Sequence, residues 1–133
     1  MRVPLRPAAL AAAATATLAF AAPALSHQTV SDRGVAVTMH VPPDDAPQAG
    51  KPSAIVIVKV RPPAGGRFTF ATCACRVKIA TASGRVLLNR RTGKRTTFTF
   101  PDAAAYEVTY SGGYRAKNGR TRRFSTAFAL RAS

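Results

Sequence analysis

The chain of 133 residues has no tryptophan, two cysteines, two methionines, two histidines and five acidic residues. Each scarcity removes a class of function. The five carboxylates and the histidines His27 and His40 leave little material for acid–base pairs. Asp44-Asp45 sits in a proline-rich loop with no partner in view, so no enzyme is expected. No long apolar run follows Phe20, so the mature chain is expected to be soluble, with no transmembrane segment. No cysteine lies near Ser26, which argues against a lipid anchor there. A 3.6-residue apolar period is missing after the first residues, and so is any internal repeat. With no recognition helix and no RNA-binding aromatic signature, nucleic acid is not an expected partner.

What is abundant is alanine at the start and arginine throughout. Arg2 and Arg6 precede an apolar run from Ala8 to Phe20, followed by the small-x-small sites Ala22-Pro23-Ala24 and Ala24-Leu25-Ser26. This is the layout of a secretory signal peptide over residues 1–26. It predicts one domain over 27–133, exported to the periplasm or the extracellular space. Removing Arg2 and Arg6 leaves 18 basic residues against 5 acidic ones, a net charge of +13 with neutral histidines. Such a field attracts anionic surfaces and acidic partners, and it serves equally as a solubility coat. Arg90, Arg91, Lys94 and Arg95 are expected to form one exposed basic turn able to meet an anionic surface. Arg120, Arg122 and Arg123 are expected to form a second patch.

The mature part alternates with period two. Val35, Val37, Met39 and Val41 share one face, with Ala36, Thr38 and His40 on the other. Ser53 to Val60 is apolar on both faces, as in a strand covered on both sides. Thr72 to Ala80, read as one strand, points Cys73, Cys75, Val77 and Ile79 inward and Arg76 and Lys78 outward. Phe98 and Phe100 alternate with threonines until Pro101, which has no N–H for a ladder. Tyr106, Val108 and Tyr110 then form the next strand, which Ser111-Gly112-Gly113 is expected to end. Phe124 to Leu130 closes the chain. A tyrosine four residues after Asp102, just beyond such a corner, predicts a tyrosine corner at Tyr106. Together these predict an all-β fold, an immunoglobulin-like antiparallel β-sandwich of about seven strands. The usual inter-sheet disulfide is excluded, because Ala104 to Tyr110 has no cysteine.

Cys73-Ala74-Cys75 is the most unusual local feature. On a strand, residues i and i+2 share a face, and two thiolates there suit a soft cation such as Cu(I) or zinc. Buried free thiols, an export-favoured disulfide and pairing between chains remain open alternatives. A thiol oxidoreductase based on Cys73 and Cys75 is the one enzymatic alternative left open, although the chain shows no βαβ pattern of the thioredoxin kind.

A leader ending at a histidine, a strand, a Pro-rich loop, AGKPSAIVIVKV and TFTFPDAAAYEVTYSG occur in that order. This resembles the small exported Ig-like domains of the YtkA-like type and, more distantly, the CopC-like copper proteins. The resemblance implies a metal-handling module of the cell envelope, with a copper ion or an envelope copper-handling protein as partner. It implies that His27, exposed as the mature N-terminus by cleavage after Ser26, binds Cu(II) through amine and imidazole. It supplies no second histidine and aspartate set, and it does not account for Cys73 and Cys75. The other reading is a structural or interaction module whose basic loops dock on an anionic partner.

Overall fold

A computed structural model of the protein describes residues 27–133; the leader expected over 1–26 lies outside them. Eight strands follow in order: β1 (Gln28–Asp32), β2 (Val35–His40), β3 (Pro52–Arg61), β4 (Arg76–Thr81), β5 (Val86–Arg91), β6 (Arg95–Thr99), β7 (Ala105–Arg115) and β8 (Thr121–Arg131). They form two four-stranded antiparallel sheets, β1-β2-β3-β6 and β5-β4-β7-β8. The chain changes sheet between β3 and β4, between β5 and β6, and between β6 and β7, as in the predicted sandwich.

Alternation decides what each strand buries. Val35, Val37, Met39, Ile55, Ile57, Val77, Ile79, Tyr106, Val108, Tyr110, Phe124 and Phe128 line the space between the sheets. Burying each of the larger side chains is worth roughly 1.5–3 kcal/mol, so this layer dominates the stability of the fold. Phe100 is fully buried and packs at 4.9 Å against both Phe98 and Tyr106. Tyr106 is the corner. Its hydroxyl donates to the Asp102 carbonyl at 2.8 Å and accepts from the Asp102 N–H at 3.0 Å.

Four expectations are corrected. The residues after His27, expected to be a short polar lead, are a strand, β1, because their backbone pairs with β2, although Val30 is their one apolar side chain. β3 is not covered on both sides. Its register with β2 slips at Thr38/Met39, leaving Val58 as the extra residue, and Val58 is exposed. The bulge also reverses the phase, so Val60 sits opposite buried Val37 rather than on the outer face with Val56. Strand β4 begins at Arg76, not Thr72, because Ala74 has a positive φ of 47° that breaks the extended chain. Finally, Gly112 and Gly113 do not end β7. The ladder with β8 runs through both and on to Arg115 opposite Thr121, so only residues 116–120 form the loop between β7 and β8.

Candidate functional site

The β1–β2 register sets Gln28 opposite Met39. One step back along β1 therefore places His27 beside His40. Met39 is buried, so His40 points to the outer side of the sheet, as alternation predicted. The His27 and His40 rings stack with centroids 4.6 Å apart and planes 19° from parallel. Beyond His40 the chain passes through Val41 and a cis Pro42–Pro43 bond, and Asp45 adopts a left-handed φ of 55°. That path folds the loop back on itself. The Asp45 N–H donates to the Val41 carbonyl at 2.7 Å, and the Val41 N–H donates to Asp45 Oδ1 at 2.6 Å.

The same Oδ1 lies 3.0 Å from His40 Nδ1. A carboxylate there holds the Nδ1 proton and leaves Nε2 with its lone pair, the arrangement by which acidic side chains orient metal-binding imidazoles. The Asp45 carboxylate is 6% exposed, and its Oδ2 is buried with no hydrogen-bond partner. A buried carboxylate oxygen without a donor is costly, so a cation or donor brought to this corner would find an acceptor already desolvated. Two imidazoles and a carboxylate are a donor set that suits Cu(II) or zinc. Among the described residues, no group of three or more His, Cys, Asp or Glu side chains stands in an arrangement ready to hold a metal. The two imidazoles meet through their faces rather than their nitrogens.

Sequence reasoning named His27 as a candidate ligand and gave no role to His40 or Asp45, which the fold places beside it. Their signal was the five-residue interval from His40 to Asp45 across two prolines, which becomes a contact because the loop turns back and Asp45 bonds to the Val41 backbone.

The cysteines do something different. Cys73 and Cys75 are joined in a disulfide, one of the alternatives left open, and both are 2% exposed. Their Cα atoms stand 5.1 Å apart, closer than the roughly 6.5 Å of residues i and i+2 on an extended strand. The turn at Ala74 brings them together. In this state the pair has no thiolate to offer. It serves as a packing element against β7. The Gly113 N–H donates to the Cys73 carbonyl at 2.9 Å, and the Thr92 N–H donates to the Cys75 carbonyl at 3.0 Å. A Cβ on Gly112 would stand 2.5 Å from Cys75 Sγ and 3.2 Å from the Cys73 oxygen, so the disulfide occupies the space a side chain would need. This seat adjoins the far end of β7 from Tyr106, and the cysteines and His27 do not form one site.

The basic residues are arranged differently from the expected turns. Arg90, Arg91, Lys94 and Arg95 are all exposed, but Arg90 and Arg91 are consecutive strand residues facing opposite ways. Arg91 lies opposite Arg76, whereas Arg90 donates to the Thr97 carbonyl at 3.3 Å. Arg122 and Arg123 likewise lie opposite Tyr114 and Gly113, on opposite faces of β8. Among the described residues no lysine or arginine forms an ion pair with a carboxylate. Tyr110 donates its hydroxyl to the Gly93 carbonyl at 3.1 Å, and burial pushes its phenol well up from the ordinary tyrosine value, which keeps it a neutral donor. No helix among the described residues is long and apolar enough to cross a membrane. Comparison with known protein families, characterised proteins and solved structures finds no match for this chain.

Proposed function

We propose that the chain is an exported metal-handling module of the cell envelope that carries copper, with the ion held at His27 and His40 and the second imidazole braced by Asp45. The observation that carries the reading is the His27–His40 stack with Asp45 Oδ1 on Nδ1 and Oδ2 buried without a donor. The donor set is nitrogen-rich, which favours Cu(II) over Cu(I). Cleavage after Ser26 would add the α-amine of His27 to the two imidazoles, so export and metal binding would be linked in one processing event. The role is binding and delivery, not catalysis. Cys73 and Cys75 hold the opposite end of the fold while they are joined, and they become a candidate Cu(I) site only after reduction.

The test is a Cu(II) titration of the mature chain beginning at His27, against a competing chelator. His27→Ala and His40→Ala are each expected to weaken binding by about a hundredfold, and Asp45→Asn by about tenfold, the range found when a ligand's supporting partner is removed. Cys73→Ser/Cys75→Ser should bind Cu(II) like wild type. Equal affinity in wild type and the folded histidine variants would sink the reading. Cu(I) binding by the reduced protein that is lost only in the cysteine variant would move the copper site to the other end of the molecule.

A further inference from the structure

The end of the sandwich away from His27 carries a second feature that metal handling leaves unused. Strand β7 is joined outside its own sheet ladder by one isolated bridge, Arg67 to Arg115. The Arg67 N–H donates to the Arg115 carbonyl at 2.8 Å, and the Arg115 N–H donates back to the Arg67 carbonyl at 2.9 Å. Residues paired in this way project to the same side. Both arginines are exposed. Thr121 lies opposite Arg115 across the β7–β8 ladder and projects to that side too. Between them runs an open groove of about 270 Å³, lined by Arg67, Arg115, Thr69, Thr72 and Thr121. Its floor includes Gly113, which has no side chain to fill it.

The surroundings are one-signed. Outward-facing positions on this sheet alternate along each strand, so Arg76, Arg91 and Arg123 share the face with Arg115. None of them is ion-paired among the described residues. Placing two guanidinium groups directly across a bridge is unfavourable by itself, because like charges opposite one another destabilise a pair. Arg115 donates to the Gly119 carbonyl at 3.4 Å, which uses one of its five N–H groups. The Thr69 and Thr72 hydroxyls bond to each other and so use one of their two protons; the other, the Thr121 hydroxyl and the remaining arginine donors border a groove whose lining includes no carboxylate. Guanidinium forks match the oxygens of phosphate two at a time.

We propose that the Arg67–Arg115 groove is an oxyanion site that takes a phosphate group, either as free phosphate or as a phosphomonoester lipid headgroup. The ligand relieves the repulsion between the two arginines, and the Thr121 hydroxyl with the one proton left over by the Thr69–Thr72 pair supplies further donors to its oxygens. The site is independent of the copper reading, since it uses no histidine and lies at the other end of the fold.

Inorganic phosphate titrated into the mature protein, followed by amide chemical shifts, is expected to give saturable one-site binding that moves Gly113, Arg115 and Thr121. In Arg67→Ala/Arg115→Ala the affinity is expected to fall by about tenfold or more, the loss of charge-assisted hydrogen bonds. The charge-matched control Arg90→Ala/Arg131→Ala, which removes two positive charges elsewhere, should stay within about twofold, because remote exposed charges are screened. Sedimentation with vesicles of phosphatidylcholine alone or mixed with phosphatidic acid separates the sources. Binding to the mixed vesicles that is lost in Arg67→Ala/Arg115→Ala assigns the lipid headgroup, and phosphate binding without vesicle binding assigns the free anion. No saturable phosphate binding, or an equal loss in the two double variants, overturns the proposal. All four substituted arginines are exposed, and the circular dichroism spectrum of each variant checks that it is folded.

Discussion

At one end of the sandwich the chain is pinned by Asp102, Tyr106 and Phe100. At the other it is pinned by Cys73, Cys75 and Gly112. The first end relies on an aromatic plug and a hydroxyl that both gives and receives a backbone hydrogen bond. The second relies on a covalent link packed into the hollow left by a glycine. Much of the charge follows the same division. Asp44, Asp45, Asp102 and both histidines lie at the corner end, where the loop after β2 reaches the C-terminus through the Ala49 and Ser133 backbone bonds. Arg67, Arg76, Arg91, Arg115 and Arg123 share one face toward the disulfide end. The division is partial: Asp32 accepts from the Ser125 N–H toward the disulfide end, and exposed Arg131 lies opposite Ala105 at the corner end.

The sharpest way to break this comparison is at Gly112. Gly112→Ala forces its new methyl against Cys75 Sγ and the Cys73 carbonyl, and overpacking of this kind is expected to destabilise by about 3 kcal/mol. Chemical denaturation measures it. In a Cys73→Ala/Cys75→Ala background the same substitution should do less harm, because the opposing sulfur is gone. Equal effects in the two backgrounds would mean that the glycine does not seat the disulfide.

A smaller effect is expected from the disulfide itself. Cys73→Ser/Cys75→Ser removes a link that closes a very short loop, and the chain-entropy estimate for so few residues is about 1.5 kcal/mol. The loss should appear as a lower denaturation midpoint, with local hydrogen exchange faster at Gly113 and Thr92, whose N–H groups bond to the cysteine carbonyls. If exchange rises equally at Asp102 and Tyr106, the two ends are not independent.

The smallest change is at the other end. Tyr106→Phe keeps the ring against Phe100 and deletes only the hydroxyl, leaving the Asp102 N–H and carbonyl without that partner. A cost of about 1 kcal/mol is expected, read as a shift of the unfolding midpoint with unchanged circular dichroism. No shift would assign the stability of this end to ring packing alone.

Alternation made the sandwich legible. The strands around Val35, Val77, Val108 and Phe128 have one face of apolar side chains and one of polar ones. A period of two has only one way to bury that face. The Asp102–Tyr106 interval was legible for a related reason, because both ends of that contact lie on one short corner. β1 was not, since Gln28 to Asp32 offers Val30 as its one apolar side chain and is a strand because β2 offers its backbone a partner. The bulge at Val58 was hidden too, because a register slip is a property of two strands.

The candidate sites divide along the same line. Composition alone set the scarcity of carboxylates and histidines, the large positive charge and the presence of two closely spaced cysteines. Only the folded chain decided which of these residues meet. His27 and His40 stand thirteen positions apart and stack because the β1–β2 hairpin register brings them level. His40 reaches Asp45 because the loop after β2 turns back, with Asp45 bonded to both backbone groups of Val41. Arg67 and Arg115 share a groove because one bridge joins segments 48 residues apart. Local pattern is written in the order of side chains and can be read from it. Contacts between distant residues depend on register and turn geometry, which are settled only when the sheets pair and the backbone hydrogen bonds choose their partners.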